Sequence, residues 1–77
     1  MTYSLIELRI EKIFVKVFDL EAPRFINKND HEEWDSLKHI ELILELEDEF
    51  DIEITDNNSL KITDFNSCLE IVRGLNQ

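Results

Sequence analysis

Gly74 and Pro23 are the only glycine and the only proline among 77 residues. These two residue types break helices before any others do. A chain with so few breakers forms helix wherever its apolar residues recur with a 3.6-residue period. They do recur. Ile6, Ile10, Ile13, Phe14 and Val17 stand at i, i+4, i+7, i+8 and i+11, one stripe of a helix over residues 3–18, with Glu7, Glu11, Lys12 and Lys16 on its polar side. Residues 36–50 carry the second clear helical pattern. Asp56-Asn57-Asn58-Ser59 is a cluster of cap and turn formers. With the apolar pair Leu60 and Ile62 it predicts one short helix. Thr63 or Asp64 is placed to cap a last helix. Its inward residues are Phe65, Leu69 and Val72, with Cys68 and Ile71 beside them, and Gly74 stands where a terminating C′ residue belongs.

Between the first two helices, residues 19–34 lose periodicity. This stretch holds Pro23 and the polar run Asn27-Lys28-Asn29-Asp30-His31-Glu32-Glu33. It reads as a long loop anchored by Phe25 and Ile26, or as a loop concealing a short helical turn. Loops of this length in a small domain are usually functional or mobile. Ile52 and Ile54 alternate with acids, as a short extended exit from the second helix would. The expected fold is all-α: a small four-helix bundle with three longer helices, one short one, and a long loop between the first two. Residues 1–77 are expected to form a single domain.

Composition excludes several functions. One glycine leaves no glycine-rich phosphate loop. One cysteine, Cys68, leaves no intrachain disulfide and no multi-cysteine zinc site. The longest apolar runs are Ile13-Phe14-Val15 and Leu42-Ile43-Leu44, far short of the roughly 20 residues that span a bilayer. The first residues lack the apolar stretch of a signal peptide, so a soluble, cytoplasmic protein is expected. The formal charge of −10 argues against nucleic acid and anionic membranes and for basic protein partners.

The second helix carries two apolar faces. At about 100° per residue, with Leu37 at zero, Leu42, Ile43, Leu46 and Phe50 fall between roughly 140° and 240° and face inward. Leu37, Ile40 and Leu44 gather on nearly the opposite side, with Glu41, Glu47 and Asp48 on or beside it. A helix at the edge of a small bundle buries one face. The second stripe is then a docking surface for a partner with a greasy pocket and a basic rim. In the plainer alternative, Leu37 and Ile40 tuck under the long loop and Leu44 is simply an exposed leucine. The charge follows the stripe. Residues 1–34 sum to −2 and residues 35–77 to −8, and from 35 to 56 nine acids face Lys38 alone.

Trp34-Asp35-Ser36-Leu37 opens this helix. Asp and Ser are favoured helix caps, although neither has a Glu or Gln three residues on to complete a capping box. Ser36 is a poor nucleophile. No glycine flanks it to form an elbow, and His39, one turn on, falls on the inward side. A second role is modification, because a helix N-terminus is electrostatically favourable for a phosphate group.

Asp35-Ser36-Leu37, Ile40-Glu41-Leu42, Leu46-Glu47 and Glu49-Phe50-Asp51-Ile52-Glu53-Ile54 resemble, without a gap, the signature of the acyl carrier proteins. Lys61-Ile62-Thr63 resembles that family's lead-in to its last helix. The resemblance is strong over residues 34–65 and topological over the whole chain. It implies a four-helix bundle that performs no chemistry itself. A phosphopantetheinyl transferase would move 4′-phosphopantetheine from coenzyme A onto Ser36, and the arm would carry acyl groups as thioesters to partner enzymes. Those partners would be acyl-transferring, synthase or ligase enzymes with basic docking patches, meeting a monomeric carrier. The docking candidates are Asp35, Leu37, Ile40, Glu41, Leu44, Glu47 and Asp48. The family commonly has glycine where Glu33 stands, and Lys38 and His39 are atypical. Trp-Asp-Ser-Leu versions resemble stand-alone carriers of specialised pathways more than fatty-acid carriers. The cargo is therefore fatty, polyketide-like or aminoacyl. An acidic helical adaptor without a prosthetic group is the rival from another class.

Smaller signals point to structure. Asn29 to Glu33 holds possible metal ligands but no spacing that fixes a coordination geometry, and reads as a solvated loop. Asp48 to Glu53 mimics a calcium loop without its glycine. Cys68 reads as a small core hydrophobe. Trp34 is expected to pack the end of the loop against the bundle or to border the prosthetic group. Phe14, Phe18, Phe25, Phe50 and Phe65 are bulky enough to fill an interior space that could otherwise shelter an acyl chain.

Overall fold

The computed structural model describes residues 5–19, 26–29 and 31–75. Four helices follow in order: α1 (Leu5–Phe18), α2 (Ser36–Phe50), α3 (Asp56–Lys61) and α4 (Phe65–Leu75). The expected all-α bundle of three longer helices and one short one is the fold observed. No β-strand occurs among the described residues; an isolated antiparallel bridge links Asn27 and Asp64.

α1 buries Ile10, Ile13, Phe14 and Val17, the stripe read from its period, with Ile6 packed at the edge of the core. α2 lies antiparallel to it and buries Leu42, Leu46 and Phe50. α4 closes the core with Phe65, Cys68 and Val72. Aromatic rings fill the centre. Phe14 meets Phe18, Trp34 and Phe65 at centroid distances of 5.7, 5.8 and 5.6 Å, and Phe18 meets Trp34 at 4.8 Å. Such pairs add about 0.5–1.5 kcal/mol each beyond the area they bury. Four of the five phenylalanines singled out above thus occupy the core. Phe25, the fifth, lies outside the described residues, as do Pro23, Asp30 and the first residues expected of α1. Ile26 is buried, as expected of a loop anchor.

Charged contacts flank the α1–α2 seam. Arg9 Nε lies 2.6 Å from Glu49 Oε2, and its guanidinium covers the Phe50 ring at 4.3 Å. Lys16 reaches Glu45 at 2.9 Å. These contacts occupy the acids of α2 nearest α1.

The caps carry most of the local explanation. Asp64 accepts the Ser67 amide at 2.7 Å while Ser67 Oγ accepts the Asp64 amide at 3.0 Å. This is a reciprocal cap with serine in the place usually taken by glutamate. Gly74 is a correction. It lies within the last turn of α4 and has no positive φ, so it does not terminate that helix. The left-handed positions fall instead on Asp19 (φ 53°) and Asp51 (φ 52°), which end α1 and α2. Asp tolerates this conformation better than most residues because its short polar side chain bonds locally.

Candidate functional site

The N-terminal end and outer face of α2 form the site. Asp35, in extended backbone, is the N-cap, and its Oδ1 accepts the Lys38 amide at 2.9 Å. Ser36 is therefore the first helical residue, and it is exposed. The amides of Ser36 and Leu37 belong to the first turn, where backbone donors have no partner within the helix.

The serines elsewhere in the described chain are committed. Ser67 Oγ works in the α4 cap, and Ser59 Oγ lies 3.0 Å from His39 Nε2. Ser36 makes no hydrogen bond through its hydroxyl among the described residues. His39 does not serve it as a base. Trp34 Nε1 donates to His39 Nδ1 at 2.9 Å, and Nε2 lies 2.9 Å from the Ser59 carbonyl oxygen. Both ring nitrogens are engaged away from the hydroxyl. Burial lowers the His39 pKa, the Ser59 carbonyl opposes this, and the Lys28 charge adds to the lowering. The ring is half-buried, as its inward position on the helical wheel requires.

The second apolar stripe is exposed: Leu37 by 65%, Ile40 by 55% and Leu44 by 59%. The reading in which Leu37 and Ile40 tuck under the loop does not hold. Leu44 borders two shallow grooves. One, of about 220 Å³, is lined by Lys16, Val17, Glu41, Leu44 and Glu45. The other, of about 170 Å³, runs between α2 and α3 and is lined by His39, Ile40, Ile43, Leu44, Ile54, Asp56 and Ser59.

The acids divide into two groups. Asp35, Glu41 and Asp48 are exposed, with Glu41 3.6 Å from Lys38 Nζ. Glu47 is only half-exposed, and its Oε2 accepts the Ile54 amide at 2.9 Å. It pins the α2–α3 connection, a structural duty that no spacing in the sequence announced. The Trp34–His39–Ser59 relay was also missed. Its one signal was a histidine on an otherwise apolar face.

The remaining candidates behave as side chains of a bundle. Cys68 is buried, and its thiol is pushed up to about 12, chiefly by desolvation. That makes it inert at neutral pH. No cluster of potential metal ligands occurs among the described residues. No described helix is long and apolar enough to cross a membrane.

No family model matches the chain. It is similar to curated proteins named "Acyl carrier protein" from Buchnera aphidicola. With that of subspecies Schizaphis graminum (strain Sg) it is 31% identical over 75 residues, covering 94% of this chain and 95% of the relative. With that of subspecies Acyrthosiphon pisum (strain 5A) it is 36% identical over 74 residues, covering 92% of each. With that of strain Tuc7 of the latter subspecies it is 44% identical over 54 residues, covering 66% of this chain and 68% of the relative.

Proposed function

The chain belongs to the acyl carrier protein family, and on that premise we propose that it carries acyl groups on a 4′-phosphopantetheine arm attached to Ser36. The observation that carries the proposal is the solvent-facing Ser36 at the first turn of α2, beside Leu37, Ile40 and Leu44. The residues present suit the group. Ser36 is exposed, and the Ser36 and Leu37 amides have no partner within the helix. The positive end of the helix dipole favours a phosphodiester. When bound, the arm supplies the thiol that holds an acyl group as a thioester. Among the described residues His39 is engaged by Trp34 and Ser59 and not by Ser36. The chain's work is to present one hydroxyl and one readable surface.

That surface comprises Asp35, Leu37, Ile40, Glu41, Leu44, Glu47 and Asp48. The three apolar side chains offer greasy area, and the exposed carboxylates around them steer a basic partner into register. The partners are a phosphopantetheinyl transferase, followed by acyl-transferring, synthase or ligase enzymes of a fatty-acid or specialised acyl pathway. Residues 1–77 act as one carrier domain, monomeric and cytoplasmic.

The test is intact mass after incubation with coenzyme A and a promiscuous phosphopantetheinyl transferase. The Ser36 Oγ–phosphorus bond forms as the coenzyme A diphosphate linkage breaks, 3′-phosphoadenosine 5′-phosphate leaves and the hydroxyl proton is lost, so the chain gains one phosphopantetheinyl group. A folded chain that gains no mass would be an acidic helical adaptor instead.

A further inference from the structure

α3 is weakly held. It spans six residues, none of its side chains is buried, and Leu60 is 74% exposed. Ile54 before it and Ile62 after it are buried, so its flanks are fixed more firmly than the helix itself. Hydrogen bonds from α2 reach it through His39. Nε2 of that ring lies 2.9 Å from the Ser59 carbonyl oxygen and 3.0 Å from Ser59 Oγ, and Nδ1 lies 2.9 Å from Trp34 Nε1. An indole N–H can only donate, so Nδ1 accepts and Nε2 carries the ring proton. The relay therefore runs one way: Trp34 donates to His39, and His39 donates to Ser59. It requires a neutral ring. A second proton would go onto Nδ1 and set a donor against the indole donor.

We infer that His39 is a positioning residue whose neutral ring seats α3 against the Ser36 end of α2, and that its protonation unseats α3. Lys28, from the segment before α2, opposes the charged ring. Asp56 of α3 lines the same groove and favours it. On α2, Asp35 is engaged by the Lys38 amide and the Lys38 ammonium faces Glu41, so neither is directed at the ring. Burial leads in holding the His39 pKa below its ordinary value, against the Ser59 carbonyl and with Lys28. The folded chain then binds fewer protons than the unfolded one in the window below about pH 6.5. Stability supplied by the seat is complete above that value and is lost as pH falls through the folded pKa. The α2–α3 groove, which Ile40 and Leu44 share with the docking stripe, loses a wall on acidification. The inference deepens the carrier reading but is measured on the unmodified chain, so either can fail alone.

Trp34 is the chain's single tryptophan, and its indole N–H is a direct reporter. Hydrogen-exchange protection of that N–H and of the amides of residues 56–61 is followed with tryptophan fluorescence from about pH 8 to about pH 5. Protection, corrected for intrinsic rates, falls by up to about tenfold per pH unit from about pH 6.5 downward and stops falling once the seated ring is itself protonated. His39→Gln keeps an acceptor for Trp34 and a donor for Ser59 but gains no proton. The transition disappears in that variant and survives in His31→Gln. The ring resonances of His39 in the wild-type chain titrate at the pH where the fall in α3 protection ends, which tests the idea without any variant. A flat wild-type profile, a transition kept in His39→Gln, one lost in His31→Gln, or a His39 titration away from the lower end of the fall in protection would overturn it.

Discussion

Ser36 keeps its hydroxyl in solvent because the groups nearest to it in sequence are committed elsewhere. Asp35 caps the helix through the Lys38 amide, and His39 faces Trp34 and Ser59. Glu47 is the case where residue chemistry overrides position on the wheel. Its carboxylate accepts the Ile54 amide, so its removal loosens the α2–α3 connection. Glu47→Ala should cost about 0.5–1.5 kcal/mol in urea unfolding, the net worth of one partly exposed hydrogen bond. Glu47→Gln keeps an acceptor and should recover most of that loss. Asp48→Ala, which removes an exposed acid, should stay within about 0.5 kcal/mol. Equal losses in the two alanine variants would show that the Ile54 contact contributes nothing. At this scale the sequence was legible where a residue's type names its task, as with the Asp35 cap. It was opaque where the task depends on a partner several residues away in the loop or on another helix.

Among the elements, α2 has two apolar faces, and its period alone separated the buried face from the exposed one. Leu42, Leu46 and Phe50 went inward, and Leu37, Ile40 and Leu44 stayed out, because helical spacing fixes which side chains share a side. Helix ends were less legible. Gly74 looked like a terminator because glycine favours the left-handed region, but the last turn of α4 runs through it. Asp19 and Asp51 take that conformation instead. Asp51→Gly should therefore stabilise the chain by a few tenths to about 1 kcal/mol, by easing the left-handed backbone and removing a negative charge from a helix C-terminus. A lower denaturation midpoint would show that the aspartate side chain contributes more than its backbone costs. The proposed docking face is tested without Glu47, whose structural duty would confuse the outcome. Glu41→Lys with Asp48→Lys should lower kcat/KM for transferase modification at low salt and flatten its salt dependence. An unchanged rate and slope would remove this face from recognition.

In the whole molecule, the charge of −10 is distributed unevenly, which its total conceals. Arg9 and Lys16 of α1 engage Glu49 and Glu45, the acids of α2 nearest the seam. Asp35, Glu41 and Asp48 remain exposed around the apolar stripe. The small core is filled with aromatic rings, and the exposed Ser36 stands at the edge of that acidic surface. The fold class was legible because few breakers and three helical periods leave little else for 77 residues to form. How α3 is held was not legible, because a six-residue helix with no buried side chain writes no period into its sequence. The central claim is that one serine carries the arm. Peptide-level mass mapping after transferase treatment tests it most directly. The added group is expected on the peptide containing Ser36, with no addition to the folded Ser36→Ala chain. Addition at Ser59 or Ser67, or at any site surviving Ser36→Ala, would contradict it.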